Sequence, residues 1–255
     1  MLHNKNNKKL IMIDNSKFIN NAFTSDELEN GAFIDLNGRC PLWTKKLINT
    51  IENKIDFNEI KIILDIGSRD GCQSLELNRW FPHATIYAFE PVKENYEFTV
   101  KNVESIDKIK VYPYAINDYN GKTKFYEVYN GNVGASSLLK TTDHWRSTHW
   151  AQKETEVDCI VLGDWLKNNN IVDVDLIWMD VQGAENIVLK SLKDYLDNVK
   201  VIATEVGLER LYHGSTSKDE LDKILSSFLV LDETPEPLMT EMDVVYINKK
   251  LLKND

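Results

Sequence analysis

From residue 61 onwards, short apolar segments alternate with amphipathic segments of helical periodicity, and this alternation constrains the fold more than any other feature. The apolar segments are KIILDI (61–66), TIYAFE (85–90), IKVYPYAI (109–116), DLIWMD (175–180) and VIATEV (201–206). The helical candidates between them are 72–80, 93–102 and 184–195. Because strands buried on both faces of a parallel sheet carry continuous apolar runs, the pattern predicts an α/β protein with helices on both faces of a sheet.

The C-terminal stretch FLVLDETPEPLMTEMDVVYINKK (228–250) predicts two strands joined by a turn that contains proline. Their connection is too short for a helical crossover, so we expect the two strands to pair antiparallel. We therefore predict a doubly wound sheet of seven strands, mostly parallel, with an antiparallel C-terminal hairpin strand. This topology resembles the Rossmann-like sheet of class I methyltransferases.

Two segments fall outside the alternation and set the predicted domain boundaries. The region before residue 61 has helical periodicity, and we predict a helical N-terminal extension at 1–60 and a catalytic domain at 61–255. The apolar residues near one face of that region are Leu42, Leu47, Ile48 and Ile51. An insertion at about 121–165 precedes the fourth main strand of the catalytic domain.

The turn after the first predicted strand, Gly67-Ser68-Arg69-Asp70-Gly71, indicates which cofactor this sheet suits. Ligands of open parallel sheets bind beyond the carboxyl ends of the strands. A dinucleotide pyrophosphate needs a G-x-G-x-x-G loop, which is missing here, and the carboxylates of Asp65 and Asp70 would repel phosphates. S-adenosylmethionine carries a sulfonium and an ammonium instead, so the turn favours that cofactor.

Polar residues at the ends of the next strands extend this predicted cofactor site. Glu90 lies 19 residues after Gly71, the spacing of an acid that accepts hydrogen bonds from both hydroxyls of a ribose. The polar turn AINDYNG (115–121) could edge an adenine ring. The candidate cofactor-binding residues are Asp65, Gly67, Ser68, Gly71, Ser74, Glu90, Pro91, Asn117 and Asp180.

Two strand-end acids, Asp180 and Glu205, are expected to face the cleft beside the cofactor. Carboxylates in such positions suit a general base for a hydroxyl or oxygen ligands for a hard divalent cation such as Mg²⁺, and the sequence leaves both roles open. We assign no metal-ligand set. Glu185 is explained as well by capping of the following helix as by function.

These motifs together resemble the FkbM family of S-adenosylmethionine-dependent methyltransferases over about residues 60–210. DVQGAE (180–185) is similar to the D-V-E-G-A-E box of the family, and FEP (89–91) closes the second strand. The resemblance implies a class I methyltransferase that O-methylates a hydroxyl of a sugar or secondary metabolite. Gln182 stands where the family usually has an acid, and Arg69-Asp70 replace smaller residues of the turn.

The insertion contains GNVGASSLLKTTDHWRSTHW (131–150), which we interpret as a substrate lid. Its first half is rich in glycine and hydroxyl groups, and its second half holds two histidines and two tryptophans. Tryptophan faces can stack on a sugar or a base, and a histidine can take a proton, so His144 is a third candidate catalytic residue. A packed segment with structural histidines is the competing interpretation.

Charge and cysteine content limit the partners and the compartment. The net charge of −10 makes long nucleic acid a poor partner, because phosphate binding needs basic surface. The three cysteines are far apart, and the N-terminus lacks the apolar core of a signal peptide. We therefore expect a cytoplasmic enzyme with a small-molecule or glycan substrate and no membrane partner; a homo-oligomer is compatible with the sequence.

Three alternatives remain open at this point. An RNA 2′-O-methyltransferase would need a basic track near the strand ends, and the acidic balance argues against one. An NAD-dependent oxidoreductase is disfavoured by the missing G-x-G. A non-catalytic relative that binds the cofactor would keep the same fold and the same turn.

Overall fold

The structure is a computed structural model that describes residues 42–233 and 241–252. The predicted extension at 1–60 lies mostly outside these residues, as do Cys40 and the turn that contains proline. The domain boundaries and the separate status of the extension remain predictions. Within the described part, the expected amphipathic helix is present and buries Leu47, Ile48 and Ile51.

Ten strands and six α-helices carry the architecture of the described residues. In chain order, the strands are β1 (Ile62–Ile66), β2 (Thr85–Phe89), β3 (Ile109–Tyr112), β4 (Ala115–Ile116), β5 (Gly121–Asn130), β6 (Ala151–Ile160), β7 (Leu176–Met179), β8 (Val201–Gly207), β9 (Phe228–Asp232) and β10 (Glu241–Asn248). The helices are α1 (Leu42–Ile51), α2 (Cys72–Trp80), α3 (Lys93–Val103), α4 (Leu162–Asn168), α5 (Glu185–Ser191) and α6 (Lys218–Ile224).

The main sheet confirms the predicted class I methyltransferase topology. Its strand order is β3-β2-β1-β7-β8-β10-β9. The first five of these strands pair parallel with their neighbours, whereas β10 pairs antiparallel with both β8 and β9. The chain runs outward from β1 in both directions, so the strand order reverses between β1 and β7. Such a switch point opens a crevice at the carboxyl ends of these strands.

Apolar side chains alternate between the two faces of the sheet and form two core clusters. In β1, Leu64 faces the cluster under α4, α5 and α6, whereas Ile63 faces the cluster under α1 and α2. Burial of one such side chain stabilises the fold by about 1.5–3 kcal/mol. Packing on both faces therefore holds the strands in place, and with them the strand ends that border the crevice.

The predicted strand at 109–116 is divided in the structure. β3 belongs to the main sheet, and β4 belongs to a second sheet of order β4-β6-β5. Pro113 lies between them, and because proline has no backbone N–H to give to a ladder, the strand breaks there. The expected strand in GKTKFYEVYN is confirmed as β5.

Several elements were not predicted or end elsewhere. β6 pairs antiparallel with β5. It was not predicted because its exposed face carries charged residues, such as Glu154, whose Oε1 lies 2.7 Å from Nζ of Lys124 on β5. α4 and α6 were also not predicted. The helix expected at 184–195 ends at Ser191 and continues as a 3₁₀-helix at Lys193–Asn198. No helix within 42–233 and 241–252 is long and apolar enough to cross a membrane.

Candidate active site

A cavity of about 260 Å³ opens at the carboxyl ends of β1, β2, β7 and β8. Its wall contains the segments 66–70, 89–91, 132–134 and 178–182. Glu205 on β8 and Glu241 and Asp243 on β10 complete its acidic side. The cavity therefore lies at the switch point of the sheet, which is where the sequence of the turn predicts the cofactor site.

Gly67 allows the turn after β1 to reach the end of β7. Its φ of 87° lies in the left-handed region, and a Cβ added there would stand 1.9 Å from the carbonyl oxygen of Asp180. Gly71 (φ 79°) has a different neighbour, because its Cβ would lie 2.9 Å from Cγ2 of Thr99 on α3. Gly67 thus shapes the cavity, and Gly71 allows α2 to pack closely on α3.

The first strand also carries a buried acid. Ser74 Oγ on α2 donates a hydrogen bond to Oδ2 of Asp65, and neither residue is part of the cavity wall. Burial raises the pKa of Asp65 to about 7 against the lowering effect of this hydrogen bond. Ser68 does line the cavity; it is buried, and its hydroxyl has no hydrogen-bond partner among the described residues.

Glu90 is fixed at the end of β2 by backbone donors. Its Oε2 accepts from the N–H of Arg69 at 3.0 Å, and its Oε1 accepts from the N–H of Val92 at 2.8 Å. Burial nevertheless raises the pKa of Glu90 to about 8. Glu90 and the adjacent Pro91 both line the cavity.

Asp180 and Glu205 are joined by the side-chain amide of Gln182. The Nε2 of Gln182 donates to Oδ1 of Asp180 at 2.7 Å and to Oε2 of Glu205 at 2.8 Å. The two strand-end acids therefore face one cavity, as the sequence predicted. Gln182, noted only as a departure from the family box, is the residue that connects them.

The pKa values of these two acids are raised for partly different reasons. Burial raises the pKa of Asp180, whereas the hydrogen bond from Gln182 and the charge of Arg69 lower it. Burial also raises the pKa of Glu205 well above its usual range, and the charges of Asp180, Glu241 and Asp243 raise it further. Asp243 lies directly opposite Glu205 in the β8–β10 pairing, where like charges repel.

Tyr212 connects Gln182 to the insertion. Its hydroxyl lies 2.7 Å from Oε1 of Gln182 and 3.0 Å from the carbonyl oxygen of Ala135. Burial raises the pKa of Tyr212 well above its usual value, so the phenol stays neutral and can donate. Ser137 Oγ also donates to the carbonyl oxygen of Gln182 at 2.9 Å.

The structure brings six of the predicted site residues to the cavity wall, namely Gly67, Ser68, Glu90, Pro91, Asp180 and Glu205. Asp65, Gly71 and Ser74 lie behind that wall. Asn117 is buried away from it, with its side chain donating to Thr123 Oγ1 at 3.2 Å.

His144 is also absent from the residues that form the cavity wall. Its Nε2 lies 2.5 Å from Oε2 of Glu209, and its Nδ1 accepts from the N–H of Arg146 at 3.3 Å. Both ring nitrogens thus have partners within the loops. This arrangement does not place His144 among the groups that could reach a reacting atom in the cavity.

Other residues of the site were not predicted. Glu241 and Asp243 are two positions apart in β10, so strand alternation was the available signal that they share a face. Tyr212 lies in a loop, and no sequence pattern connected it to Gln182. Asn132 and Arg69 also line the cavity, one from the insertion and the other from the turn after β1.

The residues around the cavity fit S-adenosylmethionine. Ser68 presents a buried hydroxyl without a partner among the described residues, and Glu90 presents a carboxyl group held by backbone donors. Asp180, when ionised, adds negative charge that suits a cationic ligand. Gly67, Ser68, Glu90, Pro91 and Asp180 are therefore the residues that would hold the cofactor.

A magnesium ion bridging Asp180 and Glu205 does not fit this arrangement. The amide nitrogen of Gln182 stands between their oxygens and presents hydrogens to both, whereas Mg²⁺ requires oxygen ligands around it. Within residues 42–233 and 241–252, no group of three or more His, Cys, Asp or Glu side chains could hold a metal ion.

Comparison with known proteins identifies the family. Residues 65–230 match the family model described as the methyltransferase FkbM domain. The 2-O-methyltransferase NoeI of Sinorhizobium fredii is 30% identical over 198 residues, which cover 74% of this chain and 80% of that protein. Methyltransferase 1 of Beauveria bassiana is 28% identical over 162 residues, covering 57% of this chain and 65% of that protein.

A solved structure of the fibrillarin/Nop5p complex aligns with a TM-score of 0.48 at 16% identity, over 86% of this chain and 88% of that one. The match to the family model covers well over half of the chain and includes every strand from β2 to β8. The chain belongs to the FkbM methyltransferase family and is an S-adenosylmethionine-dependent O-methyltransferase.

Proposed function

We propose that the methyl acceptor is a hydroxyl group of a sugar, a glycan or another small metabolite, and that Asp180 is the general base. One observation carries this proposal. Glu90 and Asp180 end the two strands on either side of β1, and both line one cavity. One cavity thus contains both Glu90, an acid suited to ribose hydroxyls, and Asp180, an acid suited to a reacting hydroxyl.

The mechanism assigns one task to each of these residues. The cofactor supplies, when bound, an activated methyl group. Glu90 accepts hydrogen bonds from ribose hydroxyls, and Ser68 offers its hydroxyl to the polar end of the cofactor. Asp180 accepts the proton of the acceptor hydroxyl as its oxygen becomes a nucleophile. The cavity wall holds the reacting groups in line, which is the larger contribution to the rate.

The walls of the cavity support a small, uncharged and hydroxyl-rich acceptor. Asn132 and Ser136 of the insertion line the cavity with polar side chains, which agrees with the interpretation of the insertion as a substrate lid. Glu241 and Asp243 would repel phosphate groups, which argues against an RNA acceptor. The name of the Sinorhizobium relative, a 2-O-methyltransferase, supports an acceptor oxygen.

The compartment is part of the same proposal. Cys72 begins α2, and Cys159 lies in β6 of the second sheet, so these two buried cysteines cannot pair with each other. This separation supports a reducing environment, and we propose that the enzyme acts in the cytoplasm.

A methyl-transfer screen tests the acceptor class. The chain is incubated with labelled S-adenosylmethionine and with glycans, nucleotide sugars or RNA, each with and without magnesium. We expect labelled product with a sugar substrate and no requirement for magnesium. Labelling of RNA alone, or of no acceptor, would contradict the proposal.

The matched variant for the base is Asp180→Asn, which keeps the shape of the side chain and removes its basicity. We expect the turnover to fall about 100-fold or more, because general-base catalysis contributes about 10²–10⁴-fold. Affinity for S-adenosylhomocysteine, which has no sulfonium charge for Asp180 to attract, should change far less when measured by calorimetry. Normal turnover of this variant would remove Asp180 from the base role.

A further inference from the structure

Gln182 has a backbone conformation that is unusual for a residue with a side chain. Its φ is 52°, in the left-handed region, and it is followed by Gly183 at φ 96°. A residue other than glycine pays about 1–2 kcal/mol for this conformation. The hydrogen bond from Ser137 Oγ to the carbonyl oxygen of Gln182 helps to hold the turn. Strain of this kind, retained at the wall of a cavity, indicates that the position of the side chain matters.

All polar atoms of the Gln182 side chain are used. The hydroxyl of Tyr212 approaches Oε1 at 2.7 Å, and this contact directs the amide oxygen away from the acids. The two N–H groups of Nε2 then point at Oδ1 of Asp180 and Oε2 of Glu205, at 2.7 and 2.8 Å. The orientation of the amide follows from this network, because the opposite orientation would place Oε1 against two carboxyl groups.

A neutral donor between two carboxyl groups changes how they ionise. Two carboxylates in direct contact cannot both ionise and instead share a proton, as in paired catalytic acids. An amide that gives each acid its own hydrogen bond favours the charged form of both. Asp180 then has no need to share a proton with Glu205.

We propose that Gln182 is a positioning residue for methyl transfer, whose amide separates Asp180 from Glu205 and holds Asp180 as an ionised acceptor for the hydroxyl proton. This inference rests on the proposed role of Asp180 as the base. It also gives a function to the position at which this chain departs from the box of the family it resembles.

The charged groups around the two acids decide which of them ionises first. Arg69, from the turn after β1, lowers the pKa of Asp180. Glu241 and Asp243, from β10, raise the pKa of Glu205.

Three further groups lie near the pair, from β1, α5 and the loop after β8: Asp65, Glu185 and Tyr212. Burial raises the pKa of Asp65 and of Glu185 to about 7, so each carries part of a negative charge at neutral pH, whereas Tyr212 stays neutral. The effect of Arg69 on Asp180 and that of the β10 acids on Glu205 make Asp180 the acid that ionises first, so Glu205 keeps its proton.

The test is a direct measurement of the ionisation of Asp180 in the intact chain. Aspartate carboxyl carbons are labelled with ¹³C and followed by NMR during a pH titration, and Asp180→Asn identifies the signal. Gln182→Met removes both donors, and Gln182→Glu replaces the amide by a third carboxyl group of the same size. We expect the pKa of Asp180 to rise by about one unit or more in both variants. An unchanged titration in either folded variant overturns the proposal.

Control measurements separate positioning from a general structural role. Gln152→Glu adds the same charge on β6, outside the cavity wall, and should leave the titration of Asp180 within about 0.3 units. A purely structural role for Gln182 would lower the melting temperature and leave the titration unchanged. If Gln182→Met does not fold, the isosteric Gln182→Glu carries the comparison.

The proposed function and this inference can fail separately. If Asp180→Asn retains methyl transfer, the base assignment falls, whatever the titration shows. If Asp180→Asn is inactive but the variants of Gln182 titrate like the wild type, only the role of Gln182 falls. When an acceptor is known from the screen, the acidic limb of the rate profile should move to higher pH in both Gln182 variants.

Discussion

The hydroxyl of Tyr212 lies 2.7 Å from Oε1 of Gln182, and through this amide the loop after β8 is connected to Asp180 and Glu205. The same hydroxyl lies 3.0 Å from the carbonyl oxygen of Ala135 in the insertion. The ring packs with Val128 and Leu211 in a small apolar cluster. Tyr212 therefore ties the insertion to the candidate catalytic residues through one polar atom.

Tyr212→Phe should destabilise the chain by about 1–3 kcal/mol, because the buried oxygens of Gln182 and Ala135 lose the one hydroxyl donor that they share, while the ring keeps its packing. The measurement is the free energy of unfolding in urea. Tyr119→Phe is the matched control, since Tyr119 is 46% exposed and its hydroxyl contact with Lys122 is 3.4 Å long. Equal effects of the two substitutions would show that the contact of Tyr212 with Gln182 contributes nothing.

Above pH 8, where the carboxyl group of Glu90 is ionised, Glu90→Gln should weaken binding of S-adenosylhomocysteine about 10–100-fold, because a charged acceptor for the ribose hydroxyls becomes a neutral amide. Calorimetry measures the change. Glu97→Gln on the exposed face of α3 is the control and should bind normally. Normal binding by Glu90→Gln would remove the ribose assignment.

The same residue predicts how binding depends on pH. The pKa of Glu90 is raised to about 8 by burial, so the group is mostly protonated at pH 6. Because the ionised form accepts both hydroxyls, affinity for S-adenosylhomocysteine should rise up to about tenfold per pH unit below 8 and level off above it. The Glu90→Gln variant should lose this dependence.

The fold was largely predictable from the sequence because its strands are buried on both faces. Leu64 and Ile63 could be assigned to a parallel strand from a continuous apolar run, whichever helices cover them. β6 escaped prediction because one face is exposed and carries charges that pair across to β5. A local pattern cannot reveal a strand whose stability depends on a partner far along the chain.

The candidate site was predictable only where a strand end fixes the residue. Asp180 directly follows β7, and Glu205 lies two residues before the end of the neighbouring parallel strand β8, so their meeting followed from topology. The link through Gln182 depends on a left-handed turn and on Tyr212, which is 30 residues away in the chain. His144 was chosen for its chemistry alone, and loop packing pairs it with Glu209 instead.

Gly67→Ala tests the close approach of the β1 turn to β7. The added methyl group would lie 1.9 Å from the carbonyl oxygen of Asp180, so backbone must move. We expect a loss of at least about 3 kcal/mol in the free energy of unfolding, or failure to fold. Gly214→Ala is the control, because Gly214 has φ 76° with nothing within 4 Å, so that variant pays only the conformational cost of about 1–2 kcal/mol. Equal costs for the two variants would contradict the contact.

His144→Ala should leave methyl transfer within about threefold of the wild type, because both ring nitrogens have partners in the loops and the residue does not line the cavity. A general base removed from its reaction would instead cost about 100-fold or more. The comparison is made with Asp180→Asn on the same acceptor. A loss as large as that of Asp180→Asn would make His144 a catalytic residue and require the loop to move.

Glu185 gives a test of how buried acids affect stability with pH. It is 2% exposed; its Oε1 accepts from the N–H of Gly183, and its Oε2 has no partner among the described residues. Burial raises its pKa to about 7. An acid whose pKa is higher in the folded than in the unfolded chain stabilises the fold fully below its unfolded pKa, and this stability is lost as pH rises through the folded value.

Wild-type stability should therefore fall between about pH 5 and pH 9, as Glu185 and the similarly raised Asp65, Glu90 and Asp243 lose their protons. Glu185→Gln removes one of these ionisations without changing the size of the side chain. The variant should match the wild type at pH 5 and exceed it by roughly 2–3 kcal/mol at pH 9, measured by urea unfolding. A variant less stable than the wild type at pH 9 would contradict this prediction. It would show that the fold stabilises the charged form of Glu185 despite the neighbouring charge of Asp180.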